Sequence, residues 1–212
     1  MTDGEEGAGA DDSLDRLAER RGLPEVYQPA EDSRLLAEAA VEVATGRVLE
    51  VGTGSGWVAE RIAVETDARV VACDLNPAAC RQARDRALAL AADGGRGFEV
   101  VRADLVSPFR EASFDAVVFN PPYLPTDPDN EWDDWMEVAL SGGETGRAVV
   151  DPFLDAVGRV LTPDGAVLLL ISTLTGYDEV LDRAERNGFR AEALRRESFP
   201  FETLTVLRLS PE

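Results

Sequence analysis

The chain has 212 residues, 44% of them hydrophobic, enough for a buried core, which excludes disorder along its whole length. It contains no His and no Lys, so a His general base, a Schiff-base lysine, a phosphate-loop lysine and a His-ligated metal are all excluded. With 41 acidic residues against 21 arginines the formal net charge is −20, which disfavours avid binding to a bare phosphate backbone.

The opening MTDGEEGAGADD is polar, Gly-rich and acidic without periodicity, and is expected to be a disordered tail over residues 1–12. It does not read as a signal peptide, and no apolar run approaches the roughly 18–20 residues of a membrane span. Residues 13–212 are expected to form one domain. Ser13 caps a short helix over 14–21, ended by Gly22 and Pro24. From about Ser33 a second helix places Leu35, Leu36, Ala39 and Ala40 on one face.

From Arg47 the pattern alternates strand and helix. RVLEV (47–51) runs into GTGSG and a helix over 57–65; RVVACD (69–74) precedes a helix opened by Pro77 and running to about Ala92. FEVVRAD (98–104) and FDAVVFN (114–120) are the third and fourth strands, and 149–161 reads as a helix that Pro152 must start or kink. AVLLLIS (166–172) is the most apolar strand, followed by a helix from Tyr177 to Asn187 and two last strands within 190–199 and 202–209. This order predicts an α/β, Rossmann-like fold: a mostly parallel seven-stranded sheet with a C-terminal antiparallel hairpin and helices on both faces. Cys73 and Cys80, both near the expected core, cannot build a structural zinc site alone and suit a reducing cytoplasm.

Three acids close successive strands on the same side of such a sheet. Glu50 precedes the glycine turn Gly52-Thr53-Gly54-Ser55-Gly56, in which glycines let the backbone turn tightly and approach a ligand. A dinucleotide fingerprint requires a small sixth residue, and Trp57 stands there instead. Asp74 ends the second strand, placed to accept from both hydroxyls of a ribose, and Asp104 ends the third, placed to accept from an adenine amino group. Each alone reads as a turn or a helix cap. Together they suit an adenosine joined to a positive, phosphate-free group, as in S-adenosyl-L-methionine.

Asn120-Pro121-Pro122-Tyr123 ends the fourth strand. Two prolines fix the backbone and remove its donors, leaving the Asn oxygen and a carbonyl to accept from one NH₂ group. Amide and aryl amine nitrogens are poor nucleophiles, and holding both N–H groups aims the nitrogen at a methyl carbon. Tyr123 offers a face to the planar group.

With these motifs the chain resembles class I S-adenosylmethionine-dependent methyltransferases of the NPPY type. More narrowly it resembles the archaeal and eukaryotic HemK-type glutamine methyltransferases of peptide-chain release factors. The resemblance covers about residues 23–209 and is carried by VYQPAEDS (26–33), LEVGTGSG (49–56), CDLNP (73–77), ADL (103–105), FNPPY (119–123) and SGGETGRAVVDPFL (141–154). It implies cofactor contacts from Ser33, Glu50, Gly52, Gly54, Gly56, Asp74, Asp104, Leu105 and Asn120, and catalysis at Asn120, Pro121, Pro122 and Tyr123. No metal is implied. It further implies a release factor as substrate, at its Gly-Gly-Gln glutamine, and a small Trm112-like zinc-binding activator paired near FEVV (98–101). Adenine-N6 methylation of DNA or RNA, protein-lysine methylation and a catalytically silent cofactor-binding subunit stay open on the sequence. The Lys-free, acidic composition resembles that of salt-loving archaea with GC-rich genomes.

Overall fold

The computed structural model describes residues 25–126 and 134–212. The expected tail and the 14–21 helix lie outside those residues. The described chain runs α1 (Glu31–Val43), β1 (Arg47–Val51), α2 (Trp57–Glu65), β2 (Arg69–Asp74), α3 (Pro77–Ala92), β3 (Glu99–Arg102), β4 (Phe114–Phe119) and α4 (Trp135–Leu140). It continues through α5 (Val150–Val157), β5 (Leu161–Ser172), α6 (Tyr177–Arg186), β6 (Phe189–Ser198) and β7 (Thr203–Pro211).

The seven strands form one sheet in the order β3-β2-β1-β4-β5-β7-β6. Pairings from β3 through β5 are parallel, and β7 runs antiparallel to both β5 and β6. The expected C-terminal antiparallel hairpin is therefore present, and β7 lies inside the sheet with β6 outside it. The central strands are mostly apolar because helices cover both sheet faces. Along β4, Ala116 and Val118 pack with Leu36, Val58, Ile62 and Ala83 of α1 to α3, whereas Val117 and Phe119 join Phe153, Leu154 and Val180 of α5 and α6. Leu168 and Leu170 of β5 take the first side and Leu169 and Ile171 the second, all fully buried. Burying each such side chain contributes roughly 1.5–3 kcal/mol.

Register then aligns the strand ends. Val51 of β1 pairs with Cys73 of β2 on one side and with Phe119 of β4 on the other, so Gly52, Asp74 and Asn120 emerge side by side. Strand order reverses between β1 and β4, and a crevice opens there at the carboxyl ends, as in other open α/β sheets.

Several boundaries differ from the sequence reading. The expected helix over 149–161 ends at Val157, tightens into a 3₁₀ turn over Gly158–Val160, and β5 begins at Leu161. Pro152 stands in the first turn of α5, where its missing N–H leaves no helical bond unmade. Helix α4 is additional: Asp134 caps it by accepting from the Glu137 amide at 2.9 Å, and Trp135 is buried beneath it. The third strand is shorter than FEVVRAD because Asp104 already turns, its carbonyl accepting from Ser107.

Candidate active site

A cleft of about 390 Å³ occupies this crevice. Ser33, Glu50, Gly52, Gly54, Asp74, Asp104, Leu105 and all four residues of Asn120–Tyr123 line it. Segments from Gly52 to Tyr123 thus meet because register brings their strand ends level, and Ser33 joins them from α1.

Gly52 and Gly54 hold φ of 63° and 54°, the left-handed region that favours glycine. The turn carries the Gly54 amide to within 2.8 Å of an Asp74 oxygen, while the Asn76 amide donates to the other at 2.9 Å. These amides do not exhaust the lone pairs of the carboxylate, so it can still accept from a vicinal diol. Burial raises the Asp74 pKa, and the Gly54, Asn76 and Leu75 amides oppose that rise. Asn76 in turn caps α3, its side chain accepting from the Ala78 amide at 2.8 Å, with Pro77 at the first helical position. Leu105 adopts φ of 47°, an uncommon conformation for a non-glycine residue, at the cleft wall.

Glu50 is buried, with the Thr53 hydroxyl donating to it. Burial pushes its pKa up to about 8, against the pull of the Thr53 hydroxyl and the Ala59 amide. Among the described residues no arginine lines the cleft. A buried acid without a basic partner is a counter-ion in waiting for a cation, and a cleft without arginine suits adenosine that carries no phosphate. The donor set therefore fits S-adenosylmethionine, which when bound supplies a methyl group on a sulfonium with a neutral thioether as leaving group.

Asn120 stands at the end of β4 with its Nδ2 donating to an Asp32 oxygen at 3.0 Å. Its Oδ1 is buried and has no partner among the described residues. An orphaned buried acceptor costs about 1–3 kcal/mol, and its retention calls for an explanation. Pro121 and Pro122 follow with no N–H to offer. Tyr123 is half-buried, its pKa raised by burial first and then by the charges of Asp32 and Glu202.

The SGGETGR segment braces this motif from behind. The Gly142 amide donates to the Leu124 carbonyl at 2.8 Å, and a Cβ on Gly146 would lie 2.8 Å from the Tyr123 carbonyl oxygen. Arg147 ties the segment to the Thr175 carbonyl at 2.7 Å, just past the end of β5.

Two departures from the sequence reading stand out. Gly56 does not line the cleft: it opens α2 at φ of 79°, and a Cβ there would lie 2.8 Å from the Ala83 Cα. It is a packing glycine between α2 and α3. Conversely, Asp32 and Tyr27 line the cleft unannounced, although both belong to VYQPAEDS. The acid at the start of α1 reads as an ordinary first-turn carboxylate, and nothing local marks its tie to Asn120.

Strand order with a reversed seventh strand, the glycine turn, the strand-end acids and the NPPY segment define a class I S-adenosylmethionine-dependent methyltransferase. Residues 28–131 match the methyltransferase small domain family. A putative protein N5-glutamine methyltransferase of Methanocaldococcus jannaschii is 36% identical over 184 residues, covering 87% of this chain and 91% of that protein. Human methyltransferase HEMK2 is 33% identical over 203 residues, covering 90% and 92%. Among solved structures, a chain of the E. cuniculi Mtq2–Trm112 complex, described as responsible for methylation of the eRF1 translation termination factor, superposes with a TM-score of 0.70 at 31% identity. It covers 89% of this chain and 100% of that one. The chain belongs to the HemK-type family of protein N5-glutamine methyltransferases, as its motifs had implied, and S-adenosylmethionine is its methyl donor.

Proposed function

We propose that this enzyme methylates the side-chain amide nitrogen of a glutamine in a peptide-chain release factor, within its Gly-Gly-Gln motif. The observation that carries the reading is the orphaned Asn120 Oδ1, an acceptor held at the cleft for one N–H of a substrate NH₂ group. The carbonyl of Pro121 takes the second N–H, and Tyr123 packs against the amide plane. Direct in-line transfer then needs orientation more than a base, because the proton leaves after the nitrogen has bonded. The names borne by relatives support the same substrate: release factor glutamine methyltransferase in Deinococcus radiodurans, and eRF1 methyltransferase catalytic subunit in Schizosaccharomyces pombe. Translation termination places the reaction in the cytoplasm. Among the described residues no helix is long and apolar enough to cross a membrane.

Within the cofactor site, Asp74 receives the ribose hydroxyls, Asp104 and the Leu105 backbone receive the adenine, and Ser33, Glu50, Gly52 and Gly54 surround the methionine end. Replacing Asp74 by Ala removes a carboxylate acceptor for two hydroxyls and is expected to cost about 1.5–3 kcal/mol of cofactor affinity. Calorimetry on the variant beside the parent reads this directly, and an unchanged Kd in a folded variant would remove Asp74 from the site.

A Trm112-like zinc-binding activator completes the enzyme along β3. That strand pairs only with β2 among the described residues, at the sheet margin, and Val101 on it is exposed. The E. cuniculi Mtq2–Trm112 complex supports a partner of this kind.

The acidic, Lys-free surface suits a salt-rich cytoplasm. Ion pairs such as Arg34–Glu38, Arg86–Glu60 and Arg183–Asp155 employ arginines, yet acids outnumber them 41 to 21. Molar salt shortens the screening length to about 3 Å and relieves the remaining repulsion. The Tm is expected to rise substantially between about 0.1 M and 2 M KCl. A flat or falling curve would assign the acidity to a bound partner instead.

The substrate test offers labelled cofactor with release factor, its Gln→Ala form, and DNA or RNA oligonucleotides, with and without the activator. Label on the release factor that vanishes with Gln→Ala supports the reading. Label that survives the change, or that goes to adenine, overturns the substrate while leaving the methyltransferase intact.

A further inference from the structure

We propose that Asp32 is a positioning residue that fixes the Asn120 amide in the one orientation able to receive a substrate NH₂ group, and that it thereby makes the site choose glutamine over glutamate. The proposal rests on the glutamine reading above.

The two ends of an asparagine amide are nearly isosteric, and turning the group by half a revolution exchanges acceptor for donor. Nothing in Asn120 itself selects between them. Asp32 does. As a carboxylate it can only accept, and its Oδ2 receives Asn120 Nδ2 at 3.0 Å together with the Tyr27 hydroxyl at 3.1 Å. Its Oδ1 receives the Ser33 amide at 2.6 Å and the Ser33 hydroxyl at 3.2 Å. Turning the Asn120 amide over would set oxygen against oxygen at that distance. The remaining atom, Oδ1, is left without a partner.

Asp32 is buried in the first turn of α1, so the helix and four donors hold the carboxylate itself in place. With both oxygens doubly occupied it has no lone pair to spend on substrate. It acts through Asn120.

The chemical consequence concerns the substrate class. An amide nitrogen presents hydrogens to Asn120 Oδ1, whereas a glutamate presents only oxygens and meets acceptor with acceptor. Leaving a buried polar group mispaired is worth about tenfold or more in affinity.

The test compares binding of the release factor and its Gln→Glu form to enzyme loaded with S-adenosylhomocysteine, for the parent and for Asp32→Asn. The replacement is close to isosteric but can donate as well as accept, so either orientation of Asn120 finds a partner. The parent is expected to favour the glutamine form by about tenfold or more, and Asp32→Asn to bring the ratio toward one. At saturating substrate kcat is expected to fall about tenfold, with Tm and cofactor Kd held. A purely structural role would lower Tm and cofactor affinity and leave the ratio alone. A variant that keeps both the parent ratio and kcat overturns the inference. A parent that does not methylate the glutamine form overturns the glutamine reading instead, so the two failures are distinct. Should Asp32→Asn not fold, Asp32→Ser sets a hydroxyl that can donate or accept at the same place; a fall in the ratio supports the role, and an unchanged ratio overturns it.

Discussion

Asn120→Ala is expected to slow methyl transfer by about 10²–10³-fold while fold and cofactor affinity stay near those of the parent. The amide nitrogen of a glutamine holds its lone pair in conjugation with the carbonyl. It becomes nucleophilic only as it pyramidalises toward the methyl carbon, and the hydrogen bond to Asn120 Oδ1 strengthens along that path. An interaction that grows toward the transition state acts on kcat more than on binding. The effect on stability should be small. Deletion removes a buried acceptor that already lacks a partner, which favours the folded state, and it strands one lone pair on Asp32, which opposes it. Single-turnover rates at saturating substrate, read beside calorimetric cofactor affinity and thermal melts, separate the contributions. A rate within tenfold of the parent would sink the assignment of Asn120 to the reaction.

Gly56→Ala is expected to destabilise the fold and leave the cofactor site chemically intact. Its φ of 79° costs a side-chain-bearing residue about 1–2 kcal/mol. An added Cβ would also meet the Ala83 Cα at 2.8 Å, the Ala83 Cβ at 2.9 Å and the Phe98 ring at 3.3 Å. The nearest of these is backbone, so α3 must shift away from α2, an overpacking cost of about 1–3 kcal/mol. Chemical denaturation should show a total loss of roughly 2–5 kcal/mol. Cofactor affinity of the folded variant, measured in the cold, should remain within about threefold of the parent, a difference under 1 kcal/mol. The opposite result, an unchanged stability with lost affinity, would return Gly56 to the cofactor-binding turn.

The sequence by itself determined the central strands β1, β2 and β4, because strands covered on both faces are mostly apolar, and RVLEV, RVVACD and FDAVVF carry that pattern. It also determined which residues stand at the strand ends, since Gly52, Asp74 and Asn120 each follow directly from where an apolar run stops. Local chemistry settled α3, whose Asn76 cap and Pro77 mark its start within one residue. Helix α4 left no such mark: it is six residues long, and its place depends on a buried Trp135 rather than on periodicity. The end of α5 was equally hidden, because Leu161 suits helix and strand alike until it pairs with Phe114. The role of Gly56 was also invisible, since a glycine beside a ligand and a glycine beside another helix are the same letter. What only the tertiary structure decided was the meeting of Asp32 with Asn120, 88 positions apart. Hydrophobic periodicity reports which face of an element is buried. The orientation of an amide is decided by the one side chain that folding brings to within 3.0 Å of it.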